Sequence, residues 1–187
     1  MLEIRWHSRA GQGAVTGAKG LATVAAQTGK EVQAFSFYGS AKRGAAMTAY
    51  NRIGDTKMLN HERYMCPDYV FVIDPALAFS DNITEDCGDN TKYIITTHLE
   101  KKDLISLIPE LEGRESQVFV LDCLTIASET IGRPIPNTPA LGAFIKLSGM
   151  FPIEDFKTSM KKILGKLPEK IVEANMLAIQ RAYDEVR

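Results

Sequence analysis

The chain opens Leu2-Glu3-Ile4-Arg5-Trp6, apolar and polar in alternation, the period of a strand with one face on a core. Gly11, Gly13 and Gly17 then break the pattern. The Ala-rich run Leu21-Ala22-Thr23-Val24-Ala25-Ala26 predicts a helix, stopped at Gly29. Alternation returns over 30–38 and predicts a second strand. A third follows over 45–53, closed by the turn pair Gly54-Asp55. Cys66-Pro67-Asp68 leads into Tyr69-Val70-Phe71-Val72-Ile73, a continuous β-branched and aromatic run of the kind that parallel sheets bury on both faces. The same unit recurs as a short strand at 92–96, a helix at 101–111 and a buried strand at 117–121. After Gly132 comes the turn cluster Arg133-Pro134-Ile135-Pro136-Asn137-Thr138-Pro139, and no further strand. Helices are predicted over 140–148, 153–164 and 169–186, with Pro168 at the first turn of the last. The apolar positions Ile171, Val172, Ala174, Leu177, Ala178 and Ala182 share one face of that helix. Strands alternating with helices predict an α/β fold. It is a mostly parallel sheet flanked by helices, with a helical C-terminal segment, in a single domain over 1–187.

The 187 residues, 45% of them hydrophobic, are enough for one well-filled core. A net charge of -1 argues against a general nucleic-acid binder, so any anion site has to be local. No apolar run approaches the ~18 residues of a membrane span. The first residues enter a strand directly, without the pattern of a signal peptide, which points to a cytoplasmic protein. Cys66, Cys87 and Cys123 are odd in number, far apart in sequence and outside any C-x-x-C pair. They read as reduced thiols, not as a disulfide framework, a zinc site or an iron–sulfur site held by this chain alone. His7, His61 and His98 lack metal-ligand spacing. His7 closes the first strand, where it either packs or touches a ligand.

The chemistry gathers at His7-Ser8-Arg9-Ala10-Gly11-Gln12-Gly13-Ala14-Val15-Thr16-Gly17-Ala18-Lys19, where a strand turns into a helix. Such a turn aims unpaired amides and the positive end of a helix dipole at one point. It either only packs a helix on a sheet or cradles an anion, usually a phosphate. Thr16 and Lys19, three apart, share a helix face and add a hydroxyl and an ammonium. A nicotinamide or flavin site needs an acidic residue at the end of the second strand. Here Phe35-Ser36-Phe37-Tyr38 leads instead to Lys42 and Arg43, whose sign suits a second phosphate. The P-loop pattern is not met, since Ala18 precedes Lys19 and Gly20 follows it. No G-x-S-x-G or H-E-x-x-H occurs. Asp74 and Asp122 end strands, where a turn or helix N-cap is their expected role. The residues thus describe an α/β domain for a multiply phosphorylated ligand, without visible catalytic machinery.

Three stretches resemble a known family in its order. They are Ile4 to Thr16, then Ala34-Phe35-Ser36-Phe37-Tyr38-Gly39 with Lys42-Arg43-Gly44-Ala45, and then Asn137-Thr138-Pro139-Ala140-Leu141-Gly142-Ala143. Together they resemble the gamma subunit of the 2-oxoacid:ferredoxin oxidoreductases, the pyruvate:ferredoxin oxidoreductase group, over essentially the whole chain. Ala41 departs from the acidic residue many members carry, and Ser8-Arg9-Ala10 from the usual Gly-rich run. The resemblance implies a complex that decarboxylates a 2-oxoacid on thiamine diphosphate, with Mg. It passes electrons through 4Fe–4S clusters to ferredoxin or another acceptor and transfers the acyl group to coenzyme A. Thiamine diphosphate, Mg and clusters would sit on partner subunits, because this chain has no Gly-Asp-Gly…Asn-Asn motif and no cluster cysteines. The gamma domain would help bind coenzyme A through Gly11, Gln12, Gly13, Ala14, Val15, Thr16 and Lys19, with Arg43 and Asn137 from the other motifs. No catalytic residue and no metal ligand is implied, and the isolated chain is expected to be inactive. The other readings are a free-standing dinucleotide-binding oxidoreductase and an interaction subunit whose glycine turn holds nothing.

Overall fold

The computed structural model describes residues 1–38, 44–58 and 66–187. In chain order its elements are β1 (Leu2–Arg9), α1 (Ala14–Gln27), β2 (Glu31–Tyr38), β3 (Ala46–Gly54), β4 (Tyr69–Val72), α2 (Leu77–Ser80), β5 (Lys92–Thr96), α3 (Lys101–Leu107), β6 (Val118–Leu121), α4 (Cys123–Ile131), α5 (Asn137–Ser148), α6 (Ile153–Leu164) and α7 (Glu169–Glu185). The six strands form one sheet in the order β2-β3-β1-β4-β5-β6. The pairs β1–β4, β4–β5 and β5–β6 are parallel. The α/β architecture with a mostly parallel sheet and a helical C-terminal segment is therefore as the sequence predicts.

β3 departs from simple strand–helix alternation. It lies between β1 and β2 and is antiparallel to both. β2 still runs parallel to β1, so both end on the edge that carries the glycine turn. α1 starts at Ala14 and so includes Thr16 and Lys19, and Gly17 within it is spent on close packing. A Cβ on Gly17 would lie 3.3 Å from the Trp6 ring. α4 falls where the sequence predicts no element. Asp122 Oδ1 accepts from the Thr125 amide at 3.0 Å as its N-cap, and Gly132 closes it at φ +80. α5 begins at Asn137, before the predicted 140, with Pro139 in the first turn, where a missing N–H costs no hydrogen bond.

Alternation along the strands divides the core between the two sheet faces. One face carries Ile4, Trp6, Phe71 and Ile94 under α1, α5, α6 and α7. Trp6 stacks on Phe71 with ring centroids 4.1 Å apart. The other carries Val70, Val72, Tyr93, Ile95 and Val120 under α2 and α3. α5 is buried continuously from Thr138 to Ile145, the mark of a helix wrapped on all sides. α7 buries Val172, Asn175, Met176, Ala178, Ile179 and Ala182. Leu177, placed by the sequence pattern on the buried face, is 57% exposed. The buried face is set by the approach of α7 to Gly142 of α5, where an added Cβ would lie 2.2 Å from the Ile179 carbonyl oxygen.

His7 packs. It is 5% exposed, and its Nδ1 lies 3.1 Å from Asp81 Oδ2. Burial lowers its pKa below 6.5, against the opposing hydrogen bond to Asp81. The folded protein thus holds His7 neutral while the unfolded chain protonates it near pH 6.5. Stability should fall as pH drops from about 6.5 through the lowered folded value. Comparing denaturation midpoints of wild type and His7→Gln between pH 7.5 and 5 checks this, because the variant should lose less across that window. A parallel loss in both would assign the effect elsewhere. Gly142→Ala tests the α5–α7 contact. Helix propensity alone would favour alanine by about 1 kcal/mol. The clash should outweigh it, leaving a net loss of roughly 1–3 kcal/mol and a Tm lower by about 3–10 °C. A raised Tm would show that α7 stands further off.

Candidate functional site

The turn from β1 to α1 is built for close approach. Gln12 N donates to Arg9 O at 3.2 Å, closing a four-residue turn with Gly11 third at φ +100. Gly13 follows at φ +87 as the N-cap of α1. A side chain is strained at either φ. Gln12 fixes this turn. Its Oε1 accepts from the Arg9 amide at 2.8 Å, and its Nε2 donates to Asp74 Oδ2 at 2.6 Å. Asp74, buried at the end of β4, also takes Arg9 Nε at 3.3 Å and the Ala76 amide at 2.9 Å. The expected turn role of Asp74 is met, and Asp74 in addition anchors the glycine turn from below. Arg9 Nη1 reaches the Gly44 carbonyl at 2.7 Å, tying the turn to the end of the basic loop. Lys42 and Arg43 themselves lie outside the described residues.

The first turn of α1 meets the first turn of α5. An ideal Cβ on Gly13 would lie 2.7 Å from Asn137 Nδ2. Neither helix has a side-chain cap or an acidic residue in its first turn. Among the described residues, the amides of Ala14, Val15, Thr16, Asn137 and Thr138 have no hydrogen-bond partner. Free N–H groups and the positive ends of two helix dipoles therefore flank the Gly13–Asn137 contact.

Beside this region a groove of about 690 Å³ runs between α1, α5 and the α6–α7 pair. Gly11, Gly13, Thr16, Lys19 and Asn137 line its polar end. Leu141, Met160, Ile163, Leu164 and Ile171 form its apolar floor. Thr16 and Lys19 are exposed, and Lys19 has no ion-pair partner among the described residues. Ala14 and Val15 line a smaller depression of about 260 Å³ on the other flank of the turn, with Arg9, Tyr38 and Met47. The structure thus brings Gly11, Gly13, Thr16, Lys19 and Asn137 together. It puts Ala14 and Val15 on the far flank and turns the Gln12 side chain inward.

Three groove residues escape the sequence reading. Arg133 adds an exposed second cation at the mouth. Thr138 and Asn175 form a buried pair, with Thr138 Oγ1 donating to Asn175 Oδ1 at 2.9 Å and Asn175 Nδ2 donating to Ile171 O at 2.7 Å. An asparagine interrupting an apolar helix face is the signal that could have found it. Thr138 thereby ties the first turn of α5 to α7.

Comparison with known proteins places the chain in a family. The pyruvate ferredoxin/flavodoxin oxidoreductase family model matches residues 3–185. Pyruvate synthase subunit PorC of Thermotoga maritima is 39% identical over 186 residues, covering 99% of this chain and 94% of that protein. The crystal structure of pyruvate oxidoreductase subunit PORC from that organism superimposes with a TM-score of 0.85 at 38% identity, covering 100% of this chain and 97% of the other. The common gamma subunit of the pyruvate/ketoisovalerate oxidoreductases of Pyrococcus abyssi is 38% identical over 182 residues, 97% of each chain. The fold alone recurs, at 17% identity and a TM-score of 0.74, in a 2-oxoglutarate:ferredoxin oxidoreductase from Magnetococcus marinus solved with 2-oxoglutarate, coenzyme A and succinyl-CoA. This chain covers 30% of that one, and 98% of this chain is matched. Matched over residues 3–185 by the family model and over nearly its whole length by gamma subunits at 38–39% identity, the chain belongs to the pyruvate ferredoxin/flavodoxin oxidoreductase family, as a gamma subunit.

Proposed function

We propose that the chain serves as the gamma subunit of a 2-oxoacid:acceptor oxidoreductase and that its groove binds coenzyme A for a complex whose other subunits hold thiamine diphosphate, Mg and the iron–sulfur clusters. The observation that carries this reading is the meeting of two uncapped helix N-termini at Gly13 and Asn137, at the polar end of an apolar-floored groove. Coenzyme A has that division of character, with an anionic phosphate portion and a long uncharged arm. The free amides of Thr16, Asn137 and Thr138, which line the groove, suit its phosphates, with Lys19 and Arg133 beside them. The floor from Leu141 to Ile171 suits the uncharged arm. Arg43, on the basic loop whose end Arg9 tethers at Gly44, is the proposed contact for a further phosphate.

The chain's own residues would bind and orient. The three cysteines of the sequence are fewer than the four that hold a cluster. When bound on its own subunit, thiamine diphosphate supplies the decarboxylation chemistry, and ferredoxin or another acceptor takes the electrons. A free-standing dinucleotide enzyme fits less well. Such a fold sets its second strand beside the first so that a residue at its end reaches the ribose. Here β3 stands between β1 and β2.

Lys19→Ala in the assembled complex should remove one charge-assisted hydrogen bond, worth roughly 1.5–3 kcal/mol. The KM for coenzyme A should then rise about ten- to a hundredfold, with kcat little changed, since the phosphates are held alike in ground and transition states. Decarboxylation run without coenzyme A should be unaffected. An unchanged KM would leave Lys19 a solvated helix lysine. Loss of the decarboxylation step would move the glycine turn next to the thiamine. The pure recombinant chain should turn over no 2-oxoacid, and any turnover would refute the proposed division of labour.

A further inference from the structure

The sheet face opposite the groove is covered over residues 81–91 by chain that is neither helix nor strand. Beneath it lies Arg5, 5% exposed. Its Nη2 donates to the Ile83 carbonyl at 3.0 Å and to Cys87 Sγ at 3.3 Å. Cys87 is half-buried. The segment that leads into β4 comes to the same place. The Cys66 amide donates to the Asp86 carbonyl at 2.5 Å, the peptide that joins Asp86 to Cys87. Standard bond lengths then keep the Cα atoms of Cys66 and Cys87 within about 7 Å of each other. That falls within the Cα separation that a disulfide can bridge. Both sides of the contact hold unusual backbone, with Cys66 at φ +61 and Asp86 at φ +57. Two cysteines that are 21 positions apart in sequence are thus neighbours in the fold. Cys66 is exposed.

We propose that Cys66 and Cys87 are a reversible dithiol–disulfide site, oxidised by small-molecule disulfides and separate from the coenzyme A groove. The Cys66 thiolate attacks one sulfur of the small disulfide. A Cys66–sulfur bond forms, the reagent's S–S bond breaks, and one small thiolate leaves with the electron pair. The Cys87 thiolate then attacks Cys66 Sγ, the protein disulfide forms, and the second small thiolate leaves. The two protons lost by the protein thiols end on the two released thiolates. The protein sulfurs are oxidised by two electrons, and the reagent sulfurs are reduced by two. Cys123 takes no part, being fully buried, and burial pushes its thiol up to about 12. The new bond would staple the approach to β4 onto the cover over Arg5 and His7, and draw Cys87 Sγ away from the Arg5 guanidinium.

The test uses oxidised glutathione on the purified complex that contains this chain, followed by alkylation under denaturing, non-reducing conditions and peptide mapping. The Cys66 and Cys87 peptides should appear joined, two hydrogens lighter than their sum and free of glutathione, with Cys123 alkylated. Dithiothreitol should restore three alkylated cysteines. Cys87→Ser should leave glutathione on Cys66. Wild-type chains carrying glutathione on Cys66 with no link, a link through Cys123, or three free thiols after prolonged exposure would each overturn the proposal. None of these outcomes bears on the groove, which the Lys19 measurement tests separately.

Discussion

The groove side of the sheet depends on the seating of α1, and that seating depends on Trp6 and Asn51. Trp6 is fully buried, and its Nε1 donates to Asn51 Oδ1 at 2.9 Å. Asn51 Nδ2 donates in turn to the Ala18 carbonyl at 2.8 Å. One asparagine side chain therefore links β1, β3 and α1 with no donor left over on the indole. A buried amide in this position is costly unless both its ends are satisfied, and here both are. The same contact explains Gly17, which lets the helix lie against the indole ring. It also gives the inserted β3 a structural role, since β3 is the strand that supplies Asn51. Shifted by one residue, β3 would turn Asn51 to the other face and leave the indole N–H unpaired.

From this fixed helix the geometry of the site follows. α1 presents its N-terminus at the end of β1, and the two positive-φ glycines keep side chains out of the way. Asp74 and Gln12 hold the turn from beneath, so the amides are ordered before any ligand arrives. Uncapped helix ends are less stable than capped ones, by roughly a few tenths of a kcal/mol where glycine is the cap, as Gly13 is for α1, and by roughly 0.5–2 kcal/mol where no capping residue stands, as for α5. Two such ends side by side, with their first turns free of acidic residues, are hard to account for as packing alone. An anion recovers that energy when it binds.

Much of this was legible in sequence, for identifiable reasons. The parallel strands β4, β5 and β6 read clearly because strands buried on both faces are continuous in Val, Ile and aromatic residues. The glycine turn read clearly because positive φ leaves few alternatives to glycine. β3 was legible as a strand but not as an insertion, since pairing order carries no local signal. α4 was missed because its single cap and short apolar stretch sit between a strand and a proline-rich turn. On α7 the sequence pattern places Val172, Ala178 and Ala182 correctly but not Leu177, which looks like core, while the buried face is set by a backbone contact at Gly142. The inward role of Gln12 could not be read at all, as it depends on Asp74, 62 residues away.

The third sequence motif shows how such long-range demands reach local sequence. In Asn137-Thr138-Pro139-Ala140-Leu141-Gly142-Ala143 each distinctive residue answers a different neighbour. Asn137 lies against Gly13 of α1. Thr138 holds Asn175 of α7 by its hydroxyl. Gly142 admits the α7 backbone at Ile179. α5 is thus gripped by α7 at two points while its first turn is offered to α1. A helix clamped this way holds its first turn in a fixed place, because close-packed interiors compress little. The groove is then walled by elements whose spacing is set by glycine and asparagine contacts, with its apolar floor below. Apolar side chains lower the local dielectric, so a charge–dipole interaction at the edge of that floor is stronger than the same interaction in open solvent. Free amides, two nearby cations and an apolar floor together favour a long ligand that is anionic at one end and uncharged along the rest.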